Sequence, residues 1–461
     1  MHRFIHTSFL LLACHLTQPI WAQEKKDSKS TPSKPRPIAR LLWQDDADQT
    51  LKWSDVIRGS NGLTLSAQTV ANFPKLDAEQ QSFVQMEPTA GVVVVGIHDK
   101  DDGKFQSGWV AVTSGVVEEE HGDHSHWHFE KPPAVVLSQL DQQQGNPAHV
   151  YHYDGDIFLA NDKNNGFTLL RAAALNSATS ATAPAEVSRF FSGGGGHITL
   201  AAVNGKVCYS TWVDRDGDNQ GRVDVIPIDG DSIRKGYQLK LPSGGLHGAT
   251  ANSGRVFFAP SDGICWLDAD LDLKLRPEEV QIRHISLGVD SKSGKPMRTG
   301  AFTNHNQYVL FMTGAADQAT LCIVDAKATE PSVLKMAMPI AEGLAWTTPA
   351  CVKTPAGKNY ALLFSDRRSS EAEETLAVVD LDPNADGNLS DARVAKTIAV
   401  GPSRVVGHGG HHEVSFSASG RLAFITNPGD GSIWILSLKD LNVESKHQVS
   451  GTPSRIVAMG G

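Results

Sequence analysis

From residue 38 onward the chain repeats one pattern: apolar or alternating runs of five to eight residues, punctuated by Gly, Asp, Asn, Pro and Ser. Residues 91–97, 156–160, 206–212, 255–259, 308–312, 360–364 and 421–425 are the clearest of these runs. Their period of two, with helical spacing scarce, predicts short strands and an all-β fold. A longer period lies above it. A strand closing in a turn such as Tyr153-Asp-Gly155 or Val203-Asn-Gly205 is followed by a strongly apolar strand, a third ending in acidic residues, and a more polar fourth. The first strands of these units begin near 82, 149, 197, 247, 299, 348, 412 and 455, spaced 43 to 67 residues apart. That spacing predicts a β-propeller with one four-stranded blade per unit. Eight blades fit best; the weak patterning of 38–80 keeps seven as the alternative. Residues 454–459 read as an inner strand with no followers, and 39–43, 51–53 and 63–65 as outer strands with no inner one. Pairing the two ends would complete one blade and close the ring.

The first 37 residues fall outside this pattern. Residues 1–22 read as a secretory signal: His2 and Arg3 precede an apolar run over 9–14, and Ala22 offers a small residue for cleavage. The segment ending in Cys14 also resembles a lipobox, so lipid anchoring at that cysteine is a second reading. Residues 23–37 (QEKKDSKSTPSKPRP) form a polar linker that cannot bury a core, leaving 38–461 as the propeller domain. No later stretch has the roughly 18 apolar residues needed to span a bilayer. The expectation is an exported protein, periplasmic or secreted, and a monomer. The 461-residue chain carries a net charge of −9. Losing the signal removes Arg3 and no acid, which deepens the negative balance. That argues against nucleic acid or anionic membrane as partner and suits a cation binder. The domain has four cysteines, Cys208, Cys265, Cys322 and Cys351, far apart and without metal-finger spacing. Disulfides and buried thiols both remain open.

Chemistry concentrates in histidine. The run Glu118-Glu-Glu-His-Gly-Asp-His-Ser-His-Trp-His128 packs four imidazoles and four carboxylates into eleven residues. Neutral imidazole is the commonest zinc ligand, so His121, His124, His126 and His128, in a loop or strand extension over 118–130, predict cation capture. Four more histidines, His149, His197, His247 and His412, fall at the starts of inner strands. Equivalent positions on a propeller's inner strands meet at one rim, so these imidazoles are expected to converge on a common cation. The capture loop is then expected to act as an antenna over that cluster. The glycines at 193–196 and 407–410 allow tight backbone paths beside two of these strands. His152, His408 and His411 are auxiliary candidates, whereas His98, His284, His305 and His447 read as ordinary.

These residues resemble the AztD-type periplasmic zinc metallochaperones, propellers that serve a zinc-specific ABC importer. The resemblance spans the whole domain. It is carried by Glu120-His-Gly-Asp-His124, Pro147-Ala-His-Val-Tyr-His-Tyr-Asp-Gly155, Leu246-His-Gly-Ala249 with Ser261-Asp-Gly263, and His412-Glu-Val-Ser-Phe-Ser417 with Thr426-Asn-Pro428. It implies that His121 and His124 belong to a capture loop and His149, His247 and His412 to the central metal region. It also implies that the partner is the importer's zinc-binding protein. The chain departs from the family in its extension through His126 and His128 and in the Gly-rich approach to a single His197.

Asp382-x-Asn384-x-Asp386-Gly387 has the start of a calcium loop but lacks its final acid, giving a candidate Ca(II) site at Asp382, Asn384 and Asp386. No GxSxG elbow marks a serine hydrolase. The expectation is a chaperone with no catalytic residues. A zinc-dependent hydrolase or lyase on a propeller is the enzymatic alternative, and a plain interaction propeller the third reading.

Overall fold

Strands in each repeat are graded from inside to outside by how many of their faces find apolar partners. The second strand of blade 2, Val92–Asp99, is apolar on both faces and almost wholly buried. The outermost strand of blade 8, Asn442–Gln448, alternates exposed and half-buried positions along its length. A sheet of this kind packs both faces of its middle strands against neighbouring sheets and leaves its last edge wet. The computed structural model describes residues 35–101, 104–122, 125–214, 217–230, 235–368, 372–407 and 409–461. The expected signal, nearly all of the linker, His124 and His408 lie outside the described residues. The first strand begins at Arg36, just inside the stretch read as linker.

Eight antiparallel blades of four strands form the ring, with split outer or inner strands in blades 1 and 7. Their inner strands are Pro453–Met459 in blade 1, then Gln81–Thr89, Pro147–Tyr153, Leu200–Val203, Ala249–Asn252, Thr303–His305, Ala350–Lys353 and Val414–Phe416 in blades 2 to 8. Blade 1 is shared by the two ends of the domain, Arg40 pairing with Met459 and Trp43 with Ile456. The seven-blade alternative is thereby excluded. Several inner hairpins turn through two residues with positive φ, as at Asp154-Gly155 (53° and 88°) and Ser253-Gly254 (52° and 78°). This geometry matches strand twist and explains the Asp-Gly and Ser-Gly pairs.

There is one apolar cluster at each blade junction rather than a single core. Leu42, Trp53, Val93 and Val95 join blades 1 and 2, and Phe158, Phe167, Leu200 and Cys208 join blades 3 and 4. The ring is sealed by Leu41, Trp43, Phe424 and Ile435 between blades 8 and 1. The four cysteines sit among these clusters unpaired. Burial pushes the thiols of Cys265, Cys322 and Cys351 up to about 12. They act as small hydrophobes rather than bridges or ligands. No helix among the described residues is long and apolar enough to cross a membrane.

Candidate metal centre

Three of the four rim histidines meet. His149 lies in the inner strand of blade 3, while His197 and His247 sit just before those of blades 4 and 5. One ring nitrogen from each lies within 4.8 Å of those from the other two. His149 Nε2 is 2.9 Å from His197 Nε2, and His197 and His247 have ring centroids 5.2 Å apart. All three side chains are half-buried, sheltered but open to solvent.

Each ring is held from its outer nitrogen. His197 Nδ1 meets Asp162 Oδ2 at 2.8 Å, and the other carboxylate oxygen accepts the Ile198 amide at 2.9 Å. His247 Nδ1 meets the Gly300 carbonyl at 3.2 Å. His149 Nδ1 faces Gln85 Nε2 at 3.3 Å. The acceptors behind His197 and His247 are the kind that fix ring orientation and tautomer for metal ligands, whereas the amide nitrogen behind His149 can only donate. Burial lowers the His247 imidazole below its usual range, and nearby His197 adds to this against the Gly300 hydrogen bond. The neutral, ligand-competent form therefore persists to lower pH than in a free imidazole. The glycines before His197 have a steric role: a Cβ at Gly195 would meet Trp212 at 2.4 Å, and one at Gly196, where φ is +76°, the Val213 carbonyl at 2.5 Å. They let the chain turn tightly against blade 4 and present His197 to its neighbours.

His412 does not converge with them. It is fully buried in blade 8, stacked on Phe364 at 5.0 Å, and both ring nitrogens are engaged: Nδ1 with Asp366 Oδ1 at 2.7 Å and Nε2 with the Gly401 carbonyl at 2.8 Å. The second Asp366 oxygen takes His411 Nδ1 at 2.6 Å. Buried Glu374 lies close by and is itself satisfied by the Arg367 and Ser403 amides and the Ser403 hydroxyl. Burial alone would raise the Asp366 carboxyl, but hydrogen bonds from His411 and His412 outweigh it and hold it below the usual range. This network ties the 401–411 connection to blade 7, and it leaves His412 no free nitrogen for a shared cation. His152 lies further along the blade 3 strand. His98, His284, His305 and His447 hydrogen-bond to Pro147, Asp262, Asn359 and Ser445 respectively.

The His-rich segment is a two-stranded ribbon, Val116–Glu120 with Ser125–Phe129. Glu119 pairs with His126 and Val117 with His128, so period-two alternation gathers Glu119, His126 and His128 on one face. Glu119 lies 2.9 Å from His128 and 3.5 Å from His121, whose ring is 5.0 Å from that of His126. The hydrogen bond from His128 holds the Glu119 carboxyl below its usual range. The opposite face carries Trp127 and Phe129, which lie beside Gly460 at the end of blade 1's inner strand, with Arg40 over the Phe129 ring.

The ribbon is not above the three histidines. It grows from the end of Ser107–Thr113, where Thr113 pairs with Val92 beside the Ala90-Gly91 turn that ends blade 2's inner strand. The triad stands at the opposite ends of the inner strands, level with Gln85 in blade 2. Four to five residues separate the levels, about 15 Å of strand. The antenna expectation is corrected: ribbon and triad occupy opposite faces of the ring.

The Asp382–Gly387 turn is closed by its own amides. Asp382 accepts from the Asp386 and Gly387 N–H groups and Asp386 from that of Asn388. That accounts for the acidic spacing without a cation, and calcium has no support here.

The fold is shared with AztD of Citrobacter koseri. Two of its structures, one of them the apo protein, superpose on 92% of this chain and 99% of theirs, with TM-scores of 0.59 and 0.60 at 15% and 16% identity. No protein-family model and no curated protein matches the chain.

Proposed function

We propose that this chain is an exported zinc-binding chaperone that holds Zn(II) at His149, His197 and His247 and passes it to the zinc-binding protein of an ABC importer. The observation that carries this reading is the triad: three imidazoles from successive blades with nitrogens within 4.8 Å, each braced from behind. Zinc takes three or four N or O ligands tetrahedrally, and three histidines leave a position for water or for an incoming ligand from a receiver. The direction of transfer rests on the sequence resemblance to AztD-type chaperones, and the propeller fold shared with AztD supports that reading. Because the triad opens at the starts of the inner strands, the receiver docks on that face. The ribbon, with His121, His126 and His128 beside Glu119, and His124 in the segment joining its strands, gathers ions separately on the other face. The enzymatic alternative would need a base beside the open position, but the carboxylate bonded to the triad, Asp162, is committed to His197 and the Ile198 amide.

Zinc titration with a competing chromophoric chelator tests this. The full chain should bind one tight Zn(II), lost when His149, His197 and His247 are replaced by alanine and retained when the ribbon histidines are replaced. An unchanged tight site in the triad variant would overturn the assignment. Zinc-dependent ester or lactone hydrolysis that disappears with the triad would favour the enzymatic alternative.

A further inference from the structure

The hydrogen bonds around His149 determine which of its ring nitrogens carries the proton. The Val150 backbone N–H can only donate, and it meets Gln85 Oε1 at 3.0 Å. That contact orients the amide and turns its NH2 group, also only a donor, toward His149 Nδ1 at 3.3 Å. A donor facing Nδ1 makes that nitrogen the acceptor, so the neutral ring carries its proton on Nε2. His149 Nε2 in turn faces His197 Nε2 at 2.9 Å. The Asp162 carboxylate, an acceptor 2.8 Å from His197 Nδ1, puts the His197 proton on Nδ1 and leaves its Nε2 lone pair to accept from His149. The result is one directed chain from Gln85 through His149 and His197 to Asp162.

His197 and His247 are thus prepared as ligands, each with Nδ1–H donated to an oxygen. His149 has the opposite polarity and presents an N–H where a cation needs a lone pair. We infer that Gln85 is a positioning residue that holds His149 in its Nε2–H tautomer, from which it donates to His197 Nε2. This rests on the zinc-handling reading above. When a cation enters, His149 Nε2 gives its proton to solvent and Nδ1 takes one from solvent, with no net change. The new Nδ1–H then confronts the Gln85 NH2, which must swing away and release the Val150 amide. Gln85 therefore weakens binding and favours release, as suits a protein that gives its cargo up.

Two measurements test this. In metal-free protein labelled with 15N-histidine, long-range 1H–15N NMR at pH 8 should report Nε2–H for His149 and Nδ1–H for His197. In Gln85→Glu the carboxylate accepts from both Val150 and His149 Nδ1–H; His149 should change tautomer, and zinc affinity in chelator competition should rise about tenfold or more. Gln85→Met removes the donor without adding charge and should tighten binding several-fold. An Nδ1–H tautomer for His149 in the unsubstituted protein overturns the inference, as does unchanged or weaker zinc affinity in both variants. A tighter Glu variant beside an unchanged Met variant would assign the effect to added charge and overturn it too. If the unsubstituted chain binds no zinc, the chaperone reading fails, while the tautomer measurement still decides what Gln85 does to His149.

Discussion

Glu87 stands on the inner strand of blade 2 within electrostatic reach of Glu413, Arg455 and Tyr153, which come from three other blades around the ring axis. Burial pushes its carboxyl up to about 7; nearby Glu413 adds to this and Arg455, already 2.6 Å from Glu413, opposes it. A carboxyl raised in the folded state stabilises the fold fully below its unfolded value and loses that contribution as pH rises through 7. Glu87→Gln should therefore be more stable than the parent at pH 8, by on the order of 1–2 kcal/mol. The gain should vanish at pH 4, as thermal unfolding at the two values would show. His412 makes the contrasting case. His412→Ala removes a stacked, fully buried ring and strips one donor from Asp366, at a cost of about 2–4 kcal/mol. Urea unfolding should show that loss while the tight zinc stoichiometry stays unchanged. A lost zinc site in a still-folded variant would return His412 to the metal centre. Since Asp366 is held low, its contribution is present above the ordinary aspartate range and is lost as pH falls through its depressed value.

At the scale of elements, the sequence period located all eight inner strands to within a few residues, because turn glycines and doubly buried middle strands are local signals. It also placed four histidines at inner-strand starts, of which His149, His197 and His247 meet and His412 does not. What it lacked was the rotation of each side chain. His197, His247 and His412 occupy like places in their repeats, yet Phe364, Asp366 and Gly401 turn the last one into a buried brace. The groups that brace the triad, Gln85, Asp162 and Gly300, carry no motif, since any donor or acceptor in the right place serves. The ribbon was visible as composition but not as a direction; only the order of strands in blade 2 shows which way it leaves. Trp127 and Phe129 dock it against Gly460 and Arg40 of blade 1, outside the apolar clusters of the blade junctions. Replacing 117–129 with a short glycine turn should leave the unfolding midpoint within a few degrees of the parent. It should abolish the weak zinc sites and keep the tight one, measured by titration. A collapse of stability would show that the ribbon helps hold the ring.

For the whole molecule, eight junction clusters of similar make-up mean that no blade is dispensable and that the last junction decides closure. The strand Pro453–Met459 completes blade 1 and packs Ile456 and Val457 into the clusters on either side of it. Ile456→Ala should cost about 2–4 kcal/mol. Removing 453–461 should expose both flanking clusters and abolish cooperative unfolding in calorimetry, while a cooperative transition in the truncated chain would argue against closure at this strand. The opposed placement of ribbon and triad has a practical outcome as well. An untagged chain should bind immobilised nickel by the exposed imidazoles of its ribbon, and every captured molecule would then stand the same way up. Its cargo face would be turned to the liquid, so an ordinary affinity resin becomes an oriented array on which a receiver can be fished for directly.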